Sequence, residues 1–297
     1  MKTKAKLVLA LSVLTAGTAV AGATGTFAWF TTNRSATLTY SKVTAYNNHG
    51  TLEVNISSWS DKAGTVTNQA SDGTNPAKHS VVGSAKSTTT DISSADGVNL
   101  YKPIWKGESG EGKEAEKMVN AVAGEYTTYY FSIANKGETS LNVFLDQGTK
   151  IKPNAADTTT DQGKKDLALA SFSRFAINYF GTAAPEENSS LVKNSTKVIE
   201  TSGGNTGKYV DALTGTKVVS KDLAQVEGVN SFIGDLSPVT SATATTAPQF
   251  LKTVAKNETH YFTVTVWLEG TKGDGATFNA CAGGLIDVDI VLAAFDA

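Results

Sequence analysis

The sequence predicts an all-β fold, and three observations carry that expectation. Apolar and polar residues alternate at period two in several stretches of strand length. Helical signals are confined to two short segments, and the connecting stretches are rich in Ser, Thr, Gly and Asn. One β-sandwich with long loop insertions is the most economical architecture for such a chain of 297 residues.

The chain opens with Lys2, Lys4 and Lys6, followed by an uncharged run over residues 7–23 of Leu, Val, Ala, Gly, Ser and Thr. That run is short and rich in small residues for a membrane span, so it reads as a signal peptide. Two small-x-Ala sites compete for cleavage, Ala21-Gly22-Ala23 and Thr26-Phe27-Ala28. The second would make Trp29 the mature N-terminus and leave residues 29–297 as one domain. "ATLTYSKV" follows as an extended segment of high β propensity without proline.

The first alternation is Leu52, Val54 and Ile56 against Glu53, Asn55 and Ser57. Residues 59–98 are then polar and read as a surface insertion. Tyr129, Phe131 and Ile133 alternate with Thr128, Tyr130 and Ser132, and the turn "NKGETS" leads to Leu141, Val143 and Leu145, a hairpin pattern. "KKDLALASF" (164–172) and "SKDLAQVEG" (220–228) each suit about two helical turns, with Ser220 as N-cap of the second. Between them Phe175, Ile177 and Tyr179 form another strand pattern, and 181–215 reads as a second flexible insertion. Phe262, Val264, Val266 and Leu268, and then Ile286, Val288, Ile290 and Leu292, complete the set. Each strand is expected to have one face against a core and one face partly wet.

The formal net charge is −2, and loss of the leader would remove three lysines and no acid. No basic stripe for a nucleic-acid partner is present. Cys281 is the single cysteine, so an exported chain would have no internal disulfide; a buried small-residue role is expected for it. No sorting motif or apolar C-terminal helix is seen, so no wall anchor or second membrane anchor is expected. His49, His79 and His260 lack metal-ligand spacing, and no nucleophile elbow or phosphate loop appears. No catalytic residue, metal or cofactor is therefore assigned. Asp287 and Asp289 share a strand face. Glu269 and Asp274 flank the Gly-rich turn "EGTKGDG", which has the oxygen ligands for calcium, though an ordinary solvated turn is the commoner use of such a segment.

Three blocks carry a family resemblance. They are "GATGTFAWFTTNRSATLTY" with "GTLEVNIS", then "VAGEYTTYYFSIANKGETSLNVFL" (122–145), and "VTVWLEGTKGD" with "CAGGLIDVDIVLAAF" near the end. Together they resemble the TasA/camelysin family of exported biofilm-matrix fibre subunits, over about half of the chain. Ala123 stands where that family usually has proline, and the aspartate expected soon after Gly270 is displaced to Asp274. The resemblance implies a jelly-roll sandwich and cleavage after Ala28 by a dedicated signal peptidase. It also implies self-polymerisation into secreted or cell-surface fibres, with accessory matrix or anchoring proteins as further partners. Residues 29–38 would then be an N-terminal donor arm presenting Trp29, Phe30, Ala36 and Leu38 to a neighbour's sheet edge. The simpler use of this segment is as the first strand of its own sandwich. Two other classes fit a sandwich: a camelysin-like surface metallopeptidase, for which no ligand set is visible, and a carbohydrate-binding or adhesive module.

Overall fold

The computed structural model describes residues 36–47, 51–57, 65–69, 77–83, 88–89, 91–105, 115–186, 189–201, 206–211, 220–240, 245–272 and 280–297. In chain order the first strands are β1 (Ala36–Asn47), β2 (Leu52–Ser57), β3 (Thr65–Gln69), β4 (Ala77–Gly83), β5 (Thr88–Thr89) and β6 (Asp91–Ser94). Next come β7 (Leu100–Trp105), β8 (Ala115–Asn120), β9 (Thr127–Asn135), β10 (Leu141–Leu145) and β11 (Lys150–Pro153). Helix α1 (Asp161–Phe172) leads directly into β12 (Ser173–Gly181), followed by β13 (Thr196–Glu200), β14 (Lys208–Val210) and β15 (Ser220–Asp222). The last are β16 (Val229–Ile233), β17 (Phe250–Val254), β18 (Thr259–Glu269) and β19 (Leu285–Asp296).

Two sheets form an all-β sandwich. The first has the order β17-β10-β19-β1-β4-β3, with β1 and β19 paired in parallel at its centre. The second runs β2-β9-β18-β12-β13-β16, and β6, β7 and β8 extend it from the C-terminal end of β18. Between the sheets, Phe131, Phe175, Phe262, Val264 and Leu268 meet Val43, Val143, Val288, Ile290 and Leu292, all nearly inaccessible. This face follows the period-two alternation, because side chains two residues apart share a sheet face. The rings of Phe131 and Phe262, cross-strand partners, stack at 5.1 Å.

Helix α1 closes one end of the sandwich. Thr160 caps it by accepting from the Gly163 amide, and Leu169, Ala170 and Phe172 face the core. Asp166, fully buried on the helix, accepts from the amides of Ala155 and Leu285 at 3.0 and 2.8 Å. Gly284 lies so close under the helix that a Cβ there would sit 2.6 Å from the Lys165 carbonyl oxygen.

The outer face of the second sheet departs from expectation. It is dry over much of its area, because Ile92, Leu100, Tyr209 and Leu223 pack there on Ala176, Val198 and Trp267 as a second core. The stretches read as insertions thus contribute strands β3, β4, β5, β6, β13 and β14. The second expected helix is also absent. Ser220–Asp222 pairs with Lys208–Val210 as a strand, and only the single 3-10 turn Leu223–Gln225 follows. Cross-strand pairing outweighs a weak local helix preference here.

Candidate functional site

Four charged side chains lie buried on the outer face of the second sheet. Arg174 on β12 is the cross-strand partner of Glu200 on β13 and of Trp267 on β18. Its Nε donates to Glu200 Oε2 at 2.7 Å, and its Nη1 lies 2.9 Å from Glu269 Oε2. Lys272 Nζ reaches Glu200 at 3.3 Å and donates to the Thr201 carbonyl at 2.8 Å. Arg174, Glu200 and Glu269 are 0–1 % exposed, and Lys272 is 2 % exposed.

Neutral groups complete the shell. Trp267 Nε1 donates to Glu269 at 3.0 Å, Thr271 Oγ1 lies 3.0 Å from the same carboxylate, and the Gly207 amide donates to Glu200 at 2.5 Å. Arg174 Nη1 also donates to the Lys208 carbonyl at 2.6 Å, while Nη2 is buried with no partner in the structure. Two cations face two carboxylates, so the cluster is charge-balanced. Burial lowers the Lys272 amine to about 8, outweighing Glu200, which raises it. Its contacts tie β12, β13 and β18 to residues 207–208 and to the chain after β18. The cluster holds the outer layer in place.

A second constellation surrounds His260. Its Nδ1 lies 3.1 Å from the Tyr179 hydroxyl and its Nε2 lies 2.9 Å from Glu258 Oε2, while Lys252 Nζ sits 4.5 Å from the centre of the Tyr179 ring. The bond from His260 holds the Glu258 carboxyl below its usual range, and burial raises the Tyr179 phenol. This is a packed histidine at a strand start. Among the described residues, no group of three or more His, Cys, Asp or Glu is placed to hold a metal ion.

The residues singled out in the sequence fall apart in space. Glu269 is committed to Arg174, Trp267 and Thr271, so it is removed from the calcium turn considered above; Asp274 lies outside the described residues, as do Ala28, Trp29 and Phe30. Ala36 and Leu38 belong to β1, paired with the chain's own β5 and β19, and Leu38 is 2 % exposed in the main core. In the single chain these two positions of the expected 29–38 arm are thus used as the first strand of the chain's own sandwich. Asp287 accepts from Asn154 at 3.0 Å and Asp289 pairs with Lys152 at 2.8 Å. Cys281 is buried in the main core, as expected.

The sheet edges are the remaining feature. β2 carries Glu53 and its Val54 carbonyl is covered by His79 Nε2 at 3.0 Å; β8 carries Glu116 and Lys117, and β17 carries Lys252. The edges β3 and β16 carry no charged residue. β16 pairs in parallel with β13 on one side, and no described strand pairs with its other side. Ile233 at its end is 50 % exposed, and a cavity of about 200 Å³ opens beside it between Ile151, Ile199, Thr201 and Asp235.

No family model matches the chain, and neither a curated protein nor a solved structure matches it. Among the described residues no helix is long and apolar enough to cross a membrane.

Proposed function

We propose that the chain is an exported structural subunit that polymerises into extracellular or cell-surface fibres, with the sandwich serving as a jelly-roll-like building block rather than as a catalyst. The leader-like start, the aromatic pair Trp29-Phe30 and the family resemblance support export and processing after Ala28. The observation that carries assembly is the uncharged edge β16, whose outer side no described strand pairs with and whose Ile233 is half exposed. Soluble sandwiches normally protect edge strands with charge, proline or cover, and this one has none of the charges found on β2, β8 and β17. The occupant is the arm of a neighbouring copy, residues 29–35, adding as a strand. Main-chain hydrogen bonds of about 1 kcal/mol each and burial of large apolar side chains at about 1.5–3 kcal/mol each offset the cost of ordering the arm and joining two bodies.

The test combines two variants. Deletion of residues 29–35 from the mature protein is expected to leave a folded monomer that forms no fibres, since β1 begins after the deletion. Ile233→Lys is expected to do the same from the acceptor side. Circular dichroism reads the fold, and sedimentation with negative-stain imaging reads the polymer. Fibres of normal width from both variants would overturn the mechanism.

A further inference from the structure

We propose that Lys197 and Asn230 become joined by an isopeptide bond, a covalent staple between β13 and the edge strand β16. The two are direct cross-strand partners in the parallel β13–β16 ladder. Lys197 Nζ lies 2.6 Å from Asn230 Oδ1, one carbonyl bond from the carbon it would attack. Lys197 is 4 % exposed and sits beside Ile177 and Ile199 on the core face, whereas Asn230 is partly exposed at the sheet edge.

The contrast with Lys272 points to covalent chemistry. Lys272 is buried among carboxylates that balance its charge. No carboxylate among the described residues pairs with Lys197, and a buried ammonium facing only a neutral amide is costly. Burial alone brings its amine down to about 8, leaving a fraction neutral and nucleophilic near neutral pH. Amide formation removes the charge permanently.

The step balances without any co-reactant. The neutral Nζ adds through its lone pair to Asn230 Cγ, and the tetrahedral adduct transfers one proton from Nζ to Nδ2. The Cγ–Nδ2 bond then breaks and ammonia leaves through the exposed side of β16. The reaction runs once per molecule, so fixed proximity, worth effective concentrations of about 10⁵ M or more, substitutes for a turnover catalyst. The link spans a separation of 33 residues, enclosing β14, β15 and the turn that bears Leu223. Closing that loop would hold the outer layer on a chain whose single cysteine precludes an internal disulfide. This proposal does not depend on fibre formation.

Intact-mass measurement and tryptic mapping of the full secreted chain test it, beside Lys197→Arg and Asn230→Ala. The wild type is expected to be lighter than its sequence by one ammonia, to resist cleavage after Lys197 and to yield a branched peptide containing both residues. Both variants are expected to have unmodified masses. The wild-type measurement stands even if a variant fails to fold. A wild-type peptide ending normally at Lys197, including after incubation of folded protein at about pH 9, where the amine is mostly neutral, would overturn the proposal. So would an ammonia loss mapped to any other asparagine.

Discussion

On the inner face of β18, Phe262, Val264, Val266 and Leu268 pack against aliphatic and aromatic side chains from both sheets. On its outer face, Thr263, Thr265, Trp267 and Glu269 are equally inaccessible, but Glu269 belongs to a closed ionic cluster. Equal burial thus rests on two kinds of interaction. The inner face gains from non-directional transfer out of water, whereas the outer face requires each charge to keep its partner. Apolar packing degrades gradually, and a paired cluster fails when one member is lost.

The largest expected effect separates those modes. Arg174→Ala leaves Glu200 and Glu269 buried with Lys272 as the one remaining cation among the described residues, and should cost about 3–5 kcal/mol in urea denaturation. Leu268→Ala on the opposite face should cost about 2–5 kcal/mol, set by the cavity it leaves. Replacing Arg174, Glu200, Glu269 and Lys272 together by apolar residues of similar volume should be near neutral, and a cost larger than that of Arg174→Ala alone would show that the ions add net stability.

A smaller effect probes the fit between the layers. Gly97 has φ +67° in the turn joining β6 and β7, where Asp96 accepts from the amides of Val98 and Asn99. A Cβ at Gly97 would lie 2.5 Å from Ala176 Cβ. Gly97→Ala should therefore cost about 1–3 kcal/mol by the same denaturation measurement, with the inner core unchanged.

A further effect is a pH dependence. Lys272 titrates at about 8 when folded against its ordinary 10.5, so the unfolded chain binds this proton more tightly. Stability from this group should rise as pH goes from about 8 toward 10, and Lys272→Met should flatten that rise in a thermal-melting series. A free Lys197 amine would contribute in the same direction, whereas a cross-linked one contributes nothing.

The same comparison explains what was legible in the sequence. Strands β2, β9, β10, β12, β18 and β19 announce themselves because their inward positions are apolar at period two. The outer layer is written in Ser, Thr, Lys and Glu, which local patterning assigns to solvent. Arg174 and Glu200 have no local mark of burial, because what buries them is pairing across 26 residues and a layer from further along the chain. A usable hint is Glu269 ending a strand whose outward set, Tyr261, Thr263, Thr265 and Trp267, is uncharged and includes two large aromatics. In "TKVIE", Lys197 and Glu200 bracket two apolar residues, the pattern of a strand buried on both faces. The cap on α1 was similarly readable in Thr160-Asp161, although the helix starts three residues before the expected 164. Leu38 shows the opposite case: its segment suited both a donor arm and a home strand, and only the pairing with Ile286 on β19 separates them.

Assembly joins the arm of one copy to the uncharged β16 edge of the next in the proposed fibre. Its most direct measurement is negative-stain imaging with sedimentation of the secreted, naturally processed wild-type protein across a range of concentrations. Regular filaments of one width, dissolving to monomers when residues 29–35 are absent, are the predicted result. A protein with Trp29 at its N-terminus that remains monomeric at every concentration would rule out assembly through this arm.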